Sequence, residues 1–426
     1  MPTQLFFFFP YRGIGGVSLL FLRIATAIRR LKPDLRITLI DYPDGYMAKN
    51  LKDPTIALMP LKPNTKIRIP SGSVVVVQSL PLWRLPPELQ FAPDAKLFMW
   101  HLHPLNIAPG SYSPHQQSSG IVGQLKSMLR TTLYAAQTRQ FARLLREADA
   151  QKSLAFMDSE NLEIAQLANN TEIPEPRFIP VPTIAQQTAP LRELKSETFR
   201  CGWVGRLEGF KLPILEYTMH RVAKFSSISP KPVTFAIIGS GDGAEHLRLV
   251  AERLEKENHK IRFHFTGQVH HDELDQLMFR SLDILFAMGT SALEGAKLGI
   301  PTILLDFSYE PIACDYVFRL IHQTSGFTLG RLIRNDMIVP GNTSLETIFH
   351  QIMQHPEDVS RDCREYFERN HAIDIVRDKF LKAINECSFT YGQATELKLT
   401  KLDPVLRIYF GTKRLLTGWD YRVPSI

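Results

Sequence analysis

Arg206 and Lys211 are a pair of residues whose types and spacing point to chemistry. They follow Phe199–Trp203, an apolar run that is predicted to be a strand ending in a glycine turn. Two cations on one loop can neutralise a diphosphate without a metal ion. Each cation taken alone fits a solvated surface charge better, so the pair gains meaning only together with other motifs.

A second motif lies downstream, where the strand predicted at Asp283–Phe286 runs into a turn at Gly289 and Thr290. Ser291 is expected to cap the following helix, and Glu294 is expected in its first turn. Unpaired amides at a helix start can hold phosphate oxygens, and a carboxylate can accept hydrogen bonds from two ribose hydroxyls. The three-residue offset also fits Glu294 as the capping-box partner of Ser291. The sequence leaves both interpretations open.

Two glycine loops each lie between a predicted strand and a predicted helix. The first, at residues 13–16, is followed by a strand that ends in Asp41, as in a dinucleotide-binding turn. Ser18 occupies the position of the third glycine, so this match is incomplete. The second loop, at residues 239–244, is followed by a strand with no carboxylate at its end. A tight strand-to-helix turn is the favoured interpretation of the second loop.

His101 and His103 follow the strand predicted at Lys96–Trp100. On an extended chain they would face the same side and could bind a metal ion, but no third ligand is evident. No Asp-x-Asp sequence occurs in the chain to bridge a metal to a diphosphate. If a reaction here inverts configuration, either histidine is a candidate base. A loop histidine that is hydrogen-bonded to backbone is the alternative for His101.

The elements that must position these residues follow an alternating pattern. Short apolar runs alternate with segments of helical period in both halves of the chain, which predicts parallel α/β architecture with ligands at the carboxyl ends of the strands. The predicted strands are Leu5–Phe9, Arg36–Asp41, Ser73–Val77, Lys96–Trp100, Ser153–Met157, Phe199–Trp203, Val233–Ile238, Ile261–Phe265, Asp283–Phe286 and Pro301–Leu305. A proline-rich stretch at 171–190 is predicted to link two domains, at 1–185 and 186–385. The pattern alone does not place the tail at 386–426, which is expected to pack back on the N-terminal domain.

The order of the motifs resembles a known family. Gly-Arg-Leu-x-x-x-Lys from Gly205, Ile-Ile-Gly-x-Gly from Ile237, Phe-Thr-Gly-x-Val from Phe265 and Glu-x-x-x-x-Gly-x-Pro from Glu294 occur in that order. Over about residues 199–306 the chain resembles the donor-binding domain of nucleotide-sugar glycosyltransferases of the GT-B type, closest to glycosyltransferase family four. The resemblance implies two Rossmann-like doubly wound domains that face a cleft.

The resemblance also implies site residues. Arg206 and Lys211 would bind the donor diphosphate together with Gly289, Thr290 and Ser291. Val269 would offer backbone contact to the base, and Glu294 would bind ribose. Gly15 and Gly16 would approach the donor phosphates from the opposite side of the cleft, and His101 would contact the transferred sugar near its anomeric centre.

One departure concerns Phe286, which stands eight residues before Glu294, where the family usually has a first glutamate. The donor sugar and the stereochemical outcome therefore stay open. The resemblance implies a hexosyltransferase-type enzyme, retaining rather than inverting, without metal or other cofactor. It would move a sugar from a UDP-sugar to a glycan or lipid-linked acceptor in surface polysaccharide synthesis. The alternatives are a nucleotide-sugar epimerase or hydrolase, a non-catalytic nucleotide-sugar-binding subunit, and an oxidoreductase.

Composition and charge limit the partners. With 426 residues, 44% hydrophobic and 22% charged, the chain has the composition of a folded protein rather than a disordered or coiled-coil one. The net charge of +7 lies entirely in residues 1–190, which hold 20 Lys and Arg against 13 Asp and Glu. A basic amphipathic segment at 121–148 is interpreted either as a helix that docks on an anionic membrane surface or as a core-packed crossover helix with a solvated basic face. No aromatic-basic nucleic-acid motif occurs, so a nucleic-acid partner is not predicted.

The expected location is the cytoplasm, with peripheral attachment to the inner face of the cell membrane. The four cysteines, Cys201, Cys314, Cys363 and Cys387, lie far apart without a Cys-x-x-Cys pair, so neither a disulfide framework nor a zinc ribbon is predicted. The N-terminal apolar run lacks a preceding basic region, and no apolar stretch is long enough for a membrane span.

Overall fold

The chain divides into two compact units, Met1–Pro180 with Val376–Ile426, and Val181–Ile375. The computed structural model describes residues 2–13, 15–112, 121–184, 191, 194, 196–313, 315–334 and 343–417, so Cys314 lies outside the described part. The division falls at 180/181 and 375/376, whereas the sequence suggested 185/186 and 385/386. Thr183 forms a β-bridge with Ala372, so both residues belong to the second unit. Phe380 packs on Phe7 and Trp100 and belongs to the first unit.

The first unit is built on a parallel sheet with strand order β3-β2-β1-β5-β7-β8. A separate parallel pair, β4 and β6, lies outside it. In the six-stranded sheet, strands β1 and β5 are almost continuously apolar and buried, as expected for a sheet covered on both faces. The elements are β1 Gln4–Phe8, α1 Gly16–Leu31, β2 Arg36–Asp41, α2 Tyr46–Asn50, β3 Ala57–Pro60, β4 Ile67–Ile69, β5 Ser73–Gln78, β6 Leu89–Phe91, β7 Lys96–His101, α3 Ile121–Ala150, β8 Leu154–Phe156 and α4 Ser159–Asn169.

The second unit repeats this design with strand order β11-β10-β9-β12-β13-β14, in which β14 alone of the described strands runs antiparallel. The order reverses between β9 and β12, and ligands of doubly wound sheets bind beyond the strand ends at such a switch point. The elements are β9 Phe199–Val204, α5 Leu212–Ile228, β10 Val233–Ile238, α6 Ala244–Glu257, β11 Ile261–Gly267, α7 His271–Ser281, β12 Ile284–Ala287, α8 Thr290–Lys297, β13 Thr302–Leu304, β14 Arg319–Leu320, α9 Leu345–Gln354 and α10 Pro356–Asn370.

The chain then returns to the first unit through α11 Ile373–Glu386, α12 Tyr391–Glu396 and α13 Pro404–Thr417. The Leu97 amide donates to the Phe389 carbonyl at 2.8 Å, and the Phe91 and Tyr391 rings stack with centroids 4.3 Å apart. These contacts place the segment that the sequence pattern could not place. No helix in the described part of the chain is long and apolar enough to cross a membrane.

Candidate functional site

Arg206 and Lys211 lie on the loop that follows β9, at the switch point of the second sheet. The Arg206 side chain is exposed and pairs with Glu208 at 2.7 Å, an arrangement that contributes little in water. Lys211 ends a short 3-10 turn and directly precedes α5. Burial, and then the positive charge of Arg206, lowers the pKa of Lys211, while Glu208 opposes the shift. Two cations that repel each other in a half-buried loop form a favourable place for an anion.

The glycine loop after β10 packs directly on this cationic loop. Gly239 and Gly241 have φ values of 150° and 155°, and a Cβ on either would overlap the carbonyl oxygen of Gly205 or Leu207. The Leu207 amide donates to the Ser240 carbonyl at 2.9 Å. These glycines therefore let two loops meet backbone to backbone. That contact supports the tight-turn interpretation of the second glycine loop.

The N-cap of helix α8 lies two residues earlier than its sequence suggested. Gly289, with φ 62°, occupies the N-cap position, and no side chain caps the helix. The expectations that Ser291 caps it and that Glu294 lies in its first turn are wrong, and so is the capping-box alternative. The amides of Thr290 and Ser291 are in the first turn, where amides have no acceptor within the helix. They point toward the loop before α8, at the positive end of the helix dipole.

Glu294 lies in the second turn of α8, inside a buried group of charges that the sequence did not reveal. The Lys297 ammonium contacts the Glu294 carboxylate and lies 2.7 Å from Oδ2 of Asp275 on α7. All three side chains are buried. The Thr183 hydroxyl donates to Oε1 of Glu294 at 3.4 Å. A Glu-x-x-Lys spacing signals the helical pair, whereas Asp275 comes from another helix and could not be found from spacing.

The parallel pairing of β9 and β12 brings the two motifs to one edge. Trp203 lies opposite Phe286, so the residues that follow each strand leave the sheet side by side. Val269 follows β11 on the same edge and is half-buried against the core of the second unit. Phe286 itself is fully buried in β12, 5.7 Å from the Phe235 ring. A glutamate at that position would point into the core, which gives a physical reason for its absence.

In the first unit, Asp41 is fully engaged by backbone. Its Oδ1 accepts from the Tyr11 and Tyr42 amides at 2.8 Å, and its Oδ2 accepts from the Met47 and Ala48 amides at 2.8 and 3.2 Å. Burial raises the pKa of Asp41, against the effect of these four amides. A carboxylate that holds four amides has no oxygen left for a ribose, so the dinucleotide interpretation loses its acidic residue.

The first glycine loop leads into α1. Gly15 is the N-cap residue of that helix, and a Cβ there would lie 2.8 Å from the Tyr11 ring. Gly16 has open space within 4 Å of where its Cβ would be. The loop therefore presents an uncapped helix start, with its backbone accessible at Gly16. Ile14, between the glycines of this loop, lies outside the described residues.

His101 is the last residue of β7 and is fully buried, with its ring 5.3 Å from that of Phe156. Burial lowers its pKa to about 3, His103 adds to the shift, and the backbone of Pro104 opposes it. Neither ring nitrogen has a hydrogen-bond partner of ordinary geometry among the described residues. His103 is exposed beyond the strand end, and its Nδ1 accepts from the Leu105 amide at 3.2 Å.

The two histidines therefore do not share one side, because the extended chain ends at His101. The geometry on which a metal site at His101 and His103 would depend is therefore not present. Within the part of the chain that the structure describes, no three His, Cys, Asp or Glu side chains lie together as a set of metal ligands.

Helix α3 packs as a crossover helix over its described length. Phe141, Leu144 and Leu145 are buried in the core of the first unit. Arg139, Arg143 and Arg146 are exposed on the other side. The side chains of Lys126 and Arg130 lie outside the described residues. From residue 131 onward the helix fits the core-packed alternative with a solvated basic face.

No family model matches the sequence, and no curated protein matches it either. Solved structures do resemble the fold. The lipopolysaccharide outer core galactosyltransferase WaaB matches over 90% of this chain and 99% of its own, with a TM-score of 0.51 at 12% identity. A glycosyltransferase from Rickettsia africae matches over 91% of this chain and 98% of its own, with a TM-score of 0.53 at 11% identity.

The N-terminal domain of Candida albicans trehalose-6-phosphate phosphatase matches over 91% of this chain and 97% of its own, with a TM-score of 0.52 at 11% identity. At such identities the likeness concerns the fold alone. The two Rossmann-like units with this strand order confirm the predicted fold class. The closer resemblance to family four stays a prediction. The chain has the GT-B fold, the two-Rossmann-domain architecture of glycosyltransferases.

Proposed function

We propose that this protein is a glycosyltransferase that moves a sugar from a nucleotide diphosphate-sugar, with UDP as the nucleotide, to a glycan or lipid-linked acceptor. The observation that carries the proposal is the meeting of two positive features at the switch point of the second sheet. The loop with Arg206 and Lys211 leaves β9 beside the uncapped start of α8, which follows β12. A diphosphate is the ligand that such a site suits.

The chemical step can then be written for this chain's own residues. As the sugar leaves, negative charge develops on the diphosphate, and cations and helix-start amides stabilise it where it forms. Arg206, Lys211 and the amides of Thr290 and Ser291 take this role, so the proposed reaction proceeds without a metal ion. Glu294 is the proposed ribose contact, because its contact with Lys297 holds the carboxylate in place.

Two further contacts follow from the motif order. The backbone at Val269 is the proposed contact to the base, and Gly16 offers an approach for donor phosphates. His101 is the proposed contact to the transferred sugar. Its unpartnered nitrogens support such a role, and its burial means that the chain after β7 must move to expose the ring. With its pKa near 3, His101 would act as a neutral hydrogen-bonding group.

The binding part of the proposal is tested by calorimetry with UDP, GDP, ADP and NAD on the whole protein. Lys211→Ala removes a charge-assisted bond worth about 1.5–3 kcal/mol, so UDP affinity should fall about 10- to 100-fold. The control Lys256→Ala removes an exposed cation of α6 and should leave affinity unchanged. Normal UDP binding by a folded Lys211→Ala variant, or binding of NAD but not UDP, would refute the assignment.

The transfer part is tested by release of UDP from UDP-sugars with and without acceptors. Turnover that requires an acceptor and persists in EDTA supports the proposal, and NMR of the product is expected to show a retained anomeric configuration. Turnover without acceptor would indicate an epimerase or hydrolase instead. Tight binding of a UDP-sugar without turnover for any glycan or lipid-linked acceptor would indicate a binding subunit.

The acceptor side of the proposal rests on charge. The excess of cations lies within residues 1–190, in the chain segment that forms most of the first unit. A basic unit suits an acidic or lipid-linked acceptor at the inner face of a cell membrane, in the synthesis of a surface polysaccharide. We therefore place the reaction in the cytoplasm within this proposal.

A further inference from the structure

Helix α13 carries two apolar faces, and the first unit covers one of them. Leu406 and Phe410 are buried against Trp83, Leu133 and Tyr134. The other face is in water. Its large apolar side chains are Val405, Ile408, Tyr409 and Leu415, exposed by 58%, 72%, 38% and 88%. At about 100° per residue these four lie within about 120° of one another around the helix, so they form one stripe. We call it the C-terminal apolar face.

A surface helix of a water-soluble unit normally has a single apolar stripe. Ile408 and Leu415 are the two most exposed large apolar residues in the described part of the chain. Four such side chains on one stripe of a helix are therefore a concentrated apolar surface, which calls for a covering partner.

The charge beside this face is positive. The segment 397–417 contains five cations and one anion, namely Lys398, Lys401, Arg407, Lys413, Arg414 and Asp403. Asp403 accepts from the Val405 amide at 2.9 Å and from the Leu406 amide at 3.3 Å, so it serves the start of the helix. Arg407 and Lys413 are exposed. No acidic residue follows Asp403 within α13.

Helix α3 extends the surface. The Gln140 side chain donates to the carbonyls of Lys398 and Lys401 at 3.1 and 2.8 Å, and the Tyr134 and Tyr409 rings meet edge to face at 6.3 Å. The two helices therefore run antiparallel. Met128, which is 70% exposed, lies one to two turns from Tyr134 toward the N-terminus of α3. Leu415 lies in the same direction from Tyr409, toward the C-terminus of α13. The exposed side chains of Met128 on α3 and Leu415 on α13 therefore lie toward the same end of this helix pair.

We propose that the C-terminal apolar face lies in the headgroup region of an anionic lipid bilayer, with α13 parallel to the membrane plane. An apolar stripe flanked by cations on a helix that does not span is the pattern of an interfacial helix. The cations select lipid over a second copy of this chain, because a symmetric pair of these faces would bring like charges together. The inference does not depend on the donor site, since all its residues belong to the first unit.

The proposed membrane contact lies on α13, whereas the sequence suggested one on α3. The sequence pattern pointed to 121–148 as a whole. Over the described part of α3 the apolar side chains Phe141, Leu144 and Leu145 are used in the core. The helix supplies exposed arginines there, and α13 supplies the apolar stripe.

Flotation with lipid vesicles tests the proposal on the whole protein. The wild type should float with vesicles of phosphatidylglycerol and phosphatidylcholine, and should float much less with phosphatidylcholine alone or at high salt. The double variant Ile408→Glu with Leu415→Glu should bind the anionic vesicles at least about tenfold more weakly, because two apolar side chains no longer enter the interface. Both side chains are exposed, so thermal unfolding should match the wild type.

The matched control is Ile228→Glu with Leu249→Glu, two exposed apolar residues of the second unit with 69% and 58% exposure. This variant adds the same charge and should float like the wild type. Equal binding of the Ile408 and Leu415 variant, or absence of wild-type flotation, would overturn the proposal. A concentration-dependent dimer in light scattering that this variant abolishes would also overturn it, because the face would then be covered by a second copy.

Discussion

The burial of His101 predicts a specific dependence of stability on pH. An ordinary histidine has a pKa of 6.5, and in the folded chain burial lowers the pKa of His101 to about 3. Between these two values the unfolded chain binds a proton at this residue and the folded chain does not. Stability must therefore fall as the pH falls below about 6.5, and the loss ends near the folded pKa.

The size of this effect follows from the two pKa values. At about pH 8 the histidine is neutral in both states and contributes almost nothing. At about pH 5 the unfolded residue is almost fully protonated, and the linkage relation gives a loss of about 2 kcal/mol in the free energy of unfolding. His101→Leu should remove this loss. Because the ring nitrogens have no partner of ordinary geometry, the variant should change stability at pH 8 by less than about 1 kcal/mol.

The measurement is urea unfolding at both pH values, followed by circular dichroism with the transitions of the two units fitted separately. Carboxylates also titrate near pH 5, so the quantity of interest is the difference between wild type and variant. Phe156→Leu is the control, because it changes packing beside the same ring without a titrating group. It should cost about 1–2 kcal/mol at both pH values. An equal pH dependence in wild type and His101→Leu would refute the buried, neutral histidine.

Three further predictions concern the loops and the buried charges. Lys297→Met removes the ammonium that Glu294 and Asp275 share, and should lower the free energy of unfolding by about 3–5 kcal/mol in urea titrations. Asp41→Asn turns an amide group toward backbone donors and should cost about 2–3 kcal/mol in the same assay, whereas an unchanged midpoint would mean that the four amides are satisfied otherwise. Gly239→Ala should lower the free energy of unfolding by more than about 2 kcal/mol in thermal unfolding, because the new Cβ would overlap the backbone of Gly205. The control Gly267→Ala, where the Cβ would meet open space, should lower it by only about 1 kcal/mol.

Much of the fold could be predicted because its signals are local. The strands Arg36–Asp41 and Val233–Ile238 have the predicted bounds, because each is an apolar run between turn residues. The sequence pattern does not predict the short strands β4 and β6 or the helix α13, because three-residue strands and a helix with two apolar faces have no clear period. The sequence predicts the N-cap of α8 at Ser291 rather than Gly289, because serine is a common cap and the positive φ of Gly289 is not visible in the sequence.

Local patterns in the sequence are enough to predict the two α/β units, the order of the motifs after successive strands, and the position of Arg206 and Lys211 on a loop. These properties depend on residues within a few positions of one another. The folded chain is needed to show that backbone amides occupy the Asp41 carboxylate, that His101 is buried and neutral, that Asp275 joins Glu294 through Lys297, and that α13 leaves an apolar face in water. The physical reason is that burial and charge pairing depend on which distant segments meet, and one-dimensional spacing carries no measure of solvent access.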